Sequence, residues 1–591
     1  MTKYNTKLYD LSTGGAVTSL TDFPSPVDEY QAAFAARAHL FLNYYTFQDG
    51  NIAKRILTRG EFWDLACSAA AYLSDRGLSK GDRIVHSFSS NSLYDLVFRL
   101  AAVLTGCVPV TINWQADDNE RLIYKVKLTN ARLIVYDDGF AARVEDIKPR
   151  LSTVQYLEAK EVEEYQAANH LAYPELNYDD ERMIIFTSGT TGKPKGVSLS
   201  HRSYLANRLT FEQYFGVSKS TPLDLLLVNP LYHGNSSAIS DWGMRRDGTV
   251  IHLLQHYTTV YWKILADIAG KKRGLLIVPV VSRHIDFLES LSNQSKLPVE
   301  EAEIKAALDR TDILIGSAPV GPTTIKRILK FSNHLPHVRF GSTETCLEVM
   351  ATPTELSQDV LLEAFEAGWS HSFKGEETIG YYIGREHHPL TRVQVVKAID
   401  PECNDYFHPC GIGEPGYLVA RGPNTMSCYV GDAEATKAVF REGWYTGLRD
   451  IVFTLRNKTD GQLDYYWMSR DSTLLIRGGS NYAYDQVAAE LSRVLVEDFQ
   501  LKPEQFKLAL VGLRLESEHE DSCCVTIELS SEVAGIEPQL RAKFIETASG
   551  RVSKGARPDH VRFAQIPLSF KGDILYSRLK QDFLDSLKRE A

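Results

Sequence analysis

Short apolar runs, each bounded by polar or turn-forming residues, recur along the first half of the chain. Arg83-Ile-Val-His-Ser-Phe, Ala131-Arg-Leu-Ile-Val-Tyr, Met183-Ile-Ile-Phe, Leu225-Leu-Leu-Val and Gly274-Leu-Leu-Ile-Val are of this kind. Continuous runs of this length predict strands buried on both faces. Helix-like segments lie between several of them, as over Leu93 to Leu104 and Glu120 to Leu128. Strands that alternate with helices predict an α/β body. Past about residue 470 the pattern restarts on a smaller scale. A helix is predicted over Asp485 to Leu495, strands over Phe506 to Val511 and Cys524 to Leu529, and a helix over Glu537 to Thr547. The reading is a large N-terminal α/β domain, residues 1–472, and a compact α+β C-terminal domain, residues 473–591. The second is close to the common domain size.

Composition changes this picture little. At 591 residues the chain exceeds one ordinary core, and 44% hydrophobic with 24% charged residues fits a globular protein. No repeat or low-complexity tract is visible. The net charge of -10 argues against nucleic acid as a partner, because an acidic surface does not draw in a phosphate backbone. Neither a basic-then-apolar leader nor a run of roughly 20 apolar residues is seen, so no membrane span and a cytoplasmic location are expected. The eight cysteines include no CxxC pair. Cys403, His408 and Cys410 lack a second pair and are read as loop and core thiols, so no metal is assigned from cysteine.

The densest chemical signal is Phe186-Thr-Ser-Gly-Thr-Thr-Gly-Lys-Pro-Lys-Gly196, which directly follows a predicted strand. Gly189 and Gly192 let backbone N–H groups approach phosphate oxygens. The hydroxyls of Thr187, Ser188, Thr190 and Thr191 add donors, and Lys193 and Lys195 add positive charge. The segment has the composition of a phosphate cradle without the spacing of a P-loop.

This segment resembles the signature loop of the adenylate-forming superfamily, which includes acyl-CoA synthetases, luciferase and peptide-synthetase adenylation domains. Further segments resemble family motifs in the expected order: Gly81-Asp-Arg-Ile-Val, Asn229-Pro-Leu-Tyr-His233, Gly316-Ser-Ala-Pro319, Phe340-Gly-Ser-Thr-Glu344, Arg421-Gly-Pro-Asn424, Gly443-Trp-Tyr-Thr-Gly447 and Arg477-Gly-Gly-Ser-Asn481. The resemblance is closest to an acyl-CoA synthetase. It implies ATP- and magnesium-dependent activation of a carboxylic acid as an acyl-adenylate, release of pyrophosphate, and transfer to a thiol, with a small C-terminal domain that moves between the steps.

The resemblance also implies roles. Glu344 is expected to hold Mg²⁺ against the triphosphate, and Thr343 to bond phosphate. Gly316, Ser317, Ala318 and Pro319, with Arg339, Phe340, Gly341 and Ser342, are expected to line the adenine and acyl pockets. Asp450 and Arg470 are expected at the ribose, Lys195 at phosphate, and His233 beside the acid, either as a protonated donor or as a neutral packed ring. Gly234 follows His233 where amino-acid-activating relatives place an aspartate, which argues against an ordinary α-amino acid. Asp241 is expected to serve a surface or helix-capping role, with an unusual substrate amine as its alternative partner.

Three departures from the family pattern stand out. Asp573, in Pro567-Leu-Ser-Phe-Lys-Gly-Asp573, replaces the adenylation lysine, and Lys571 is the candidate substitute. Leu448 and Arg449 intervene before Asp450, and Thr473 occupies the hinge position. No carrier domain follows the small domain, so an external acceptor is expected: coenzyme A, or the phosphopantetheine of a free-standing carrier protein. Arg477, Lys554, Lys571 and Lys580 are placed to meet phosphates of coenzyme A. Asp573 also leaves open a catalytically silent member that binds nucleotide or acyl ligand.

Overall fold

The fold is described from a computed structural model. It describes residues 21, 23–48, 51–165, 171–187, 194–271, 273–470, 474–478, 480–568 and 574–590. The buried apolar runs form strands as expected, Arg83–Ser87, Leu133–Tyr136, Glu181–Thr187, Leu223–Leu227 and Leu275–Val280 among them. Six parallel strands form the centre of one large sheet, in the spatial order Leu40–Gln48, Thr249–Leu254, Leu223–Leu227, Leu275–Val280, Asp312–Ile315 and His337–Phe340. Beyond His337–Phe340 the sheet continues through antiparallel strands, Tyr381–Glu386, Leu463–Arg470 and Asp450–Arg456 among them. A second sheet of seven strands contains Glu181–Thr187, Val108–Thr111, Arg83–Ser87 and Leu133–Tyr136.

The two sheets share one core. The helix Leu93–Thr105 has 12 buried residues, Leu93, Asp95 and the unbroken run Leu96 to Thr105, so it packs on every side. A helix that is apolar all round belongs in the interior. Ser92 caps its start, and Gly106, at φ 75°, ends it in the left-handed region that glycine enters without steric cost. The smaller unit has a three-stranded sheet, Phe506–Leu513, Ser522–Leu529 and His560–Phe563. The helices Tyr484–Glu497, Glu537–Arg551 and Tyr576–Glu590 pack on it around a separate core.

Asp241 corrects an expectation: it is 2% exposed and neither caps a helix nor meets solvent. It lies in the helix Gly234–Met244, where Arg182 reaches it at 3.0 Å and Arg245 at 2.6 Å, and Tyr30 donates its hydroxyl at 2.5 Å. Arg245 also pairs at 2.6 Å with Glu29 on the helix Pro26–Ala33. An aspartate followed four residues later by arginine on one helix reads as a surface pair. Here that face is turned inward, and Arg182 and Glu29 complete the charge balance. Burial alone would raise the Asp241 carboxyl, but Arg245 and Arg182 outweigh it and hold it at about 2.

Removing one partner of a buried ion pair costs about 3–5 kcal/mol, because the other charge stays buried and unpaired. Arg245→Met is therefore expected to lower the unfolding free energy of the large domain by about that amount, read from its denaturant midpoint. A depressed carboxylate contributes stability above its unfolded value of about 3.9 and loses it as pH falls towards its folded one. Stability should accordingly drop between about pH 4 and 2, and should drop less steeply in Asp241→Asn.

Candidate active site

The loops at the carboxyl ends of the parallel strands converge on one cavity of about 850 Å³. Val228 to Pro230 follow the strand Leu223–Leu227, Gln255 to Tyr257 follow Thr249–Leu254, and Val281 follows Leu275–Val280. Gly316 to Pro319 follow Asp312–Ile315, and Gly341 to Thr343 follow His337–Phe340. The seven-stranded sheet contributes Asn91, Asn113 to Asp117, and Thr187 from its own strand ends. Chains of parallel strands place their ligand crevice at this edge, since loops there carry no sheet-forming duty.

Of the residues expected from sequence, Thr187, His233, Gly316, Ser317, Ala318, Pro319, Arg339, Phe340, Gly341, Ser342, Thr343, Asp450 and Arg470 line this cavity. Gly316 is closely packed: an added Cβ would meet the Arg339 carbonyl oxygen at 3.1 Å. Gly341 is tighter still, with the Leu347 carbonyl oxygen 1.6 Å from such a Cβ. Ser188, Gly189, Thr190, Thr191, Gly192 and Lys193, together with Lys571, Asp573 and Thr473, lie outside the described residues.

Glu344 and Lys195 are brought together by a residue that sequence reading missed. Tyr429 donates its hydroxyl to Glu344 Oε1 at 3.1 Å, and Lys195 Nζ lies 4.8 Å from the centre of the Tyr429 ring. Tyr445, within the quoted Gly443–Gly447 segment, stands 3.3 Å from the Tyr429 hydroxyl. Glu344 Oε1 is thus oriented while Oε2 has no protein partner among the described residues. Among those residues no group of three or more His, Cys, Asp and Glu side chains is arranged to hold a metal. A single oriented carboxylate still fits magnesium, which takes most of its oxygens from phosphate and water.

Asp450 is fully buried, and Arg470 grips it with two N–H groups at 2.9 and 3.1 Å. Trp467, also unanticipated, donates its indole N–H to Asp450 Oδ1 at 2.7 Å. The two extra residues are absorbed locally: Leu448 is buried and Arg449 takes φ 54°, so the chain bulges before Asp450 enters its strand. His233 begins the helix Gly234–Met244 and packs against Tyr232, with ring centroids 4.4 Å apart. Burial pushes its imidazole down to about 4, so the neutral ring is the form present near neutral pH. His284, another cavity residue, accepts the Val281 N–H on Nδ1 at 3.1 Å, which leaves the proton on Nε2.

The smaller unit closes one side. Arg477, Gly478, Tyr482 and Glu520 line the cavity, as do Lys554 and Arg557. One loop, between the strands Phe506–Leu513 and Ser522–Leu529, fastens this unit to the larger one. Glu518 accepts from the Thr323 N–H and hydroxyl at 2.9 and 2.7 Å, His519 Nε2 meets Asp286 at 3.0 Å, and Arg514 lies over the Trp467 ring at 4.6 Å. These loop contacts had no motif to announce them.

A family model described as "AMP-binding enzyme" matches residues 36–430. The chain is 26% identical over 439 residues to a 2-succinylbenzoate–CoA ligase of Bacillus velezensis, covering 74% of this chain and 77% of that one. Its fold matches that of a double mutant of o-succinylbenzoate CoA synthetase from Bacillus subtilis bound with a product analogue, with a TM-score of 0.71 at 19% identity, over 93% of this chain and 97% of that one. Against the same synthetase in complex with its acyl-adenylate intermediate the TM-score is 0.60 at 19% identity, over 95% and 98%.

A neutral His233 makes a direct prediction. In histidine-labelled protein its ring signal, assigned with His233→Phe, should show no protonation midpoint between about pH 5.5 and 8, whereas an ordinary histidine titrates near 6.5. A midpoint near 6.5 would show that the ring is solvated.

Proposed function

The chain belongs to the AMP-binding enzymes and is an AMP-forming acid–thiol ligase; we propose that coenzyme A is its acceptor and that the residues gathered at the cavity carry both half-reactions. The observation that carries this reading is the convergence of the strand-end loops with Thr343, Asp450 and Arg470 on one cavity.

In the first half-reaction the substrate carboxylate attacks the α-phosphorus of ATP in line and pyrophosphate leaves. Such a step needs positioning and charge stabilisation more than covalent help. Thr343 and Thr187 would bond phosphate oxygens, Lys195 would offset their charge, and Gly316 to Pro319 with Phe340 would bed the adenine. Asp450, held rigid by Trp467 and Arg470, is the acceptor for ribose hydroxyls. Glu344 would hold magnesium, which would neutralise charge on the triphosphate. His233, neutral and half-buried, would shape the acid's entry rather than supply a proton. Lys571, two residues before Asp573 in sequence, is proposed to stand in for the lysine that Asp573 replaces.

In the second half-reaction a thiol attacks the acyl carbonyl of the mixed anhydride and AMP leaves. The docked position of the smaller unit, with Arg477 and Lys554 at the cavity, supports reading this arrangement as the one for thiol transfer. The higher TM-score to the product-analogue complex than to the acyl-adenylate complex of one synthetase supports it too.

ATP–pyrophosphate exchange across a panel of carboxylic acids, followed by thioester analysis with coenzyme A and with a phosphopantetheinylated carrier protein, tests the reading. Exchange dependent on one acid class, with thioester formed on free coenzyme A, is expected. Thioester on the carrier alone would replace coenzyme A as acceptor, and nucleotide binding without any exchange would make the chain a silent binder. Glu344→Gln should lower exchange by about a hundred- to a thousandfold, the usual loss for one preorganised electrostatic group. Lys571→Ala should also lower exchange; an unchanged rate would remove Lys571 from the site. Glu518→Ala with His519→Ala should slow thioester formation about tenfold, a loss of ~1.4 kcal/mol of docking, while exchange holds. An equal fall in both steps would show that the loop serves the fold and not the thiol step.

A further inference from the structure

The helix Gly234–Met244 starts at the reacting end of the cavity, where a Cβ on Gly234 would lie 3.7 Å from Thr343. Asn235 comes next, lines the same cavity and is 7% exposed. Its Oδ1 accepts an N–H of Arg339 at 3.2 Å. Arg339 also lines the cavity, and its guanidinium pairs at 3.0 Å with Glu348, whose other oxygen meets His387 at 2.7 Å. An amide whose oxygen is committed to a guanidinium has its orientation fixed, with the NH₂ group turned the other way. Among the described residues that NH₂ group has no protein acceptor, and it is not sealed into the core either. It is therefore a donor held towards the cavity.

The charge of the surroundings decides what it can take. Arg339 is already balanced by the fully buried Glu348, so a second carboxylate on the substrate would enter without an opposite charge of its own. A plain hydrocarbon tail would instead leave the Asn235 donor unsatisfied and out of water, which is also unfavourable. A neutral oxygen avoids both costs.

Resting on the reading of this cavity as the acid-activating site, we propose that Asn235, fixed by Arg339, is a specificity-determining donor, and that the acid carries a neutral acceptor on its tail: a ketone, hydroxyl or amide oxygen. Sites built to bond such a group discriminate strongly against analogues that lack it.

The test titrates the full-length protein, with AMP present, by calorimetry. The probes are a straight-chain acid, its oxo and hydroxy derivatives with the oxygen moved along the chain, and the matching dicarboxylic acid. The best oxygenated acid should bind about 10- to 100-fold more tightly than the unsubstituted one, as for one hydrogen bond in a desolvated site. The dicarboxylic acid should bind weakest. In Asn235→Leu, of similar shape but no donor, the preference should collapse towards one, a ratio that does not depend on how much protein is folded. Equal binding of plain and oxygenated acids, tightest binding of the dicarboxylic acid, or an unchanged ratio in Asn235→Leu would each overturn the proposal. Pyrophosphate exchange on the same acids reports separately: its absence with every acid would overturn the activation reading, while the binding ratio still decides the role of Asn235.

Discussion

The rest of the large domain is organised around a cluster of charges that have no access to water. Glu29, Arg182, Asp241 and Arg245 come from three elements distant in sequence, and each is at most 2% exposed. No one of them could stay charged in the interior without the others, because an isolated buried ion costs several kcal/mol. The cluster therefore ties the N-terminal helix Pro26–Ala33 and the strand Glu181–Thr187 to the helix Gly234–Met244. That helix carries His233, Gly234 and Asn235 at its start, so the charge cluster at its far end fixes the wall of the cavity at its near end.

A second consequence concerns rigidity within the site. Asp450 is held by Arg470 and Trp467, Glu344 by Tyr429, His284 by a backbone N–H, and Asn235 by Arg339. Each supporting group holds a polar atom in place, and at Glu344, His284 and Asn235 a second atom remains for a ligand. Preorganisation of this kind lowers the reorganisation a polar site must undergo as charge develops in a reaction. It also explains why a large part of the cavity wall consists of residues whose neighbours matter as much as they do.

The smaller unit follows a different logic. Its main core is separate, and it meets the larger unit through the loop that carries Glu518 and His519, through Arg121 with Glu490 at 3.4 Å, and through Ile476, which packs into a core cluster of the larger unit. Contacts this sparse and mostly polar are compatible with a unit that leaves and returns, as interfaces between mobile domains generally are. Arg514 connects docking to chemistry, since the Trp467 ring beneath it also bonds Asp450.

Much of this was legible without coordinates. Buried strands betray themselves as unbroken apolar runs, and the dense Gly, Thr and Lys segment and the ordered motifs mark the phosphate-binding family, because close approach of backbone to phosphate restricts which residues fit. What no local pattern conveys is which distant side chain completes a partial charge or hydrogen bond. Asp241 and Arg245 look like a surface pair until Glu29 and Arg182 arrive from elsewhere in the chain, and Asn235 looks like any polar residue at a helix start until Arg339 takes its oxygen. The sequence by itself determined the α/β class, the smaller C-terminal unit and the AMP-binding family. The tertiary structure decided the charge balance, the tautomers and the direction of each donor, because these depend on partners that only folding brings within 3 or so ångströms of one another.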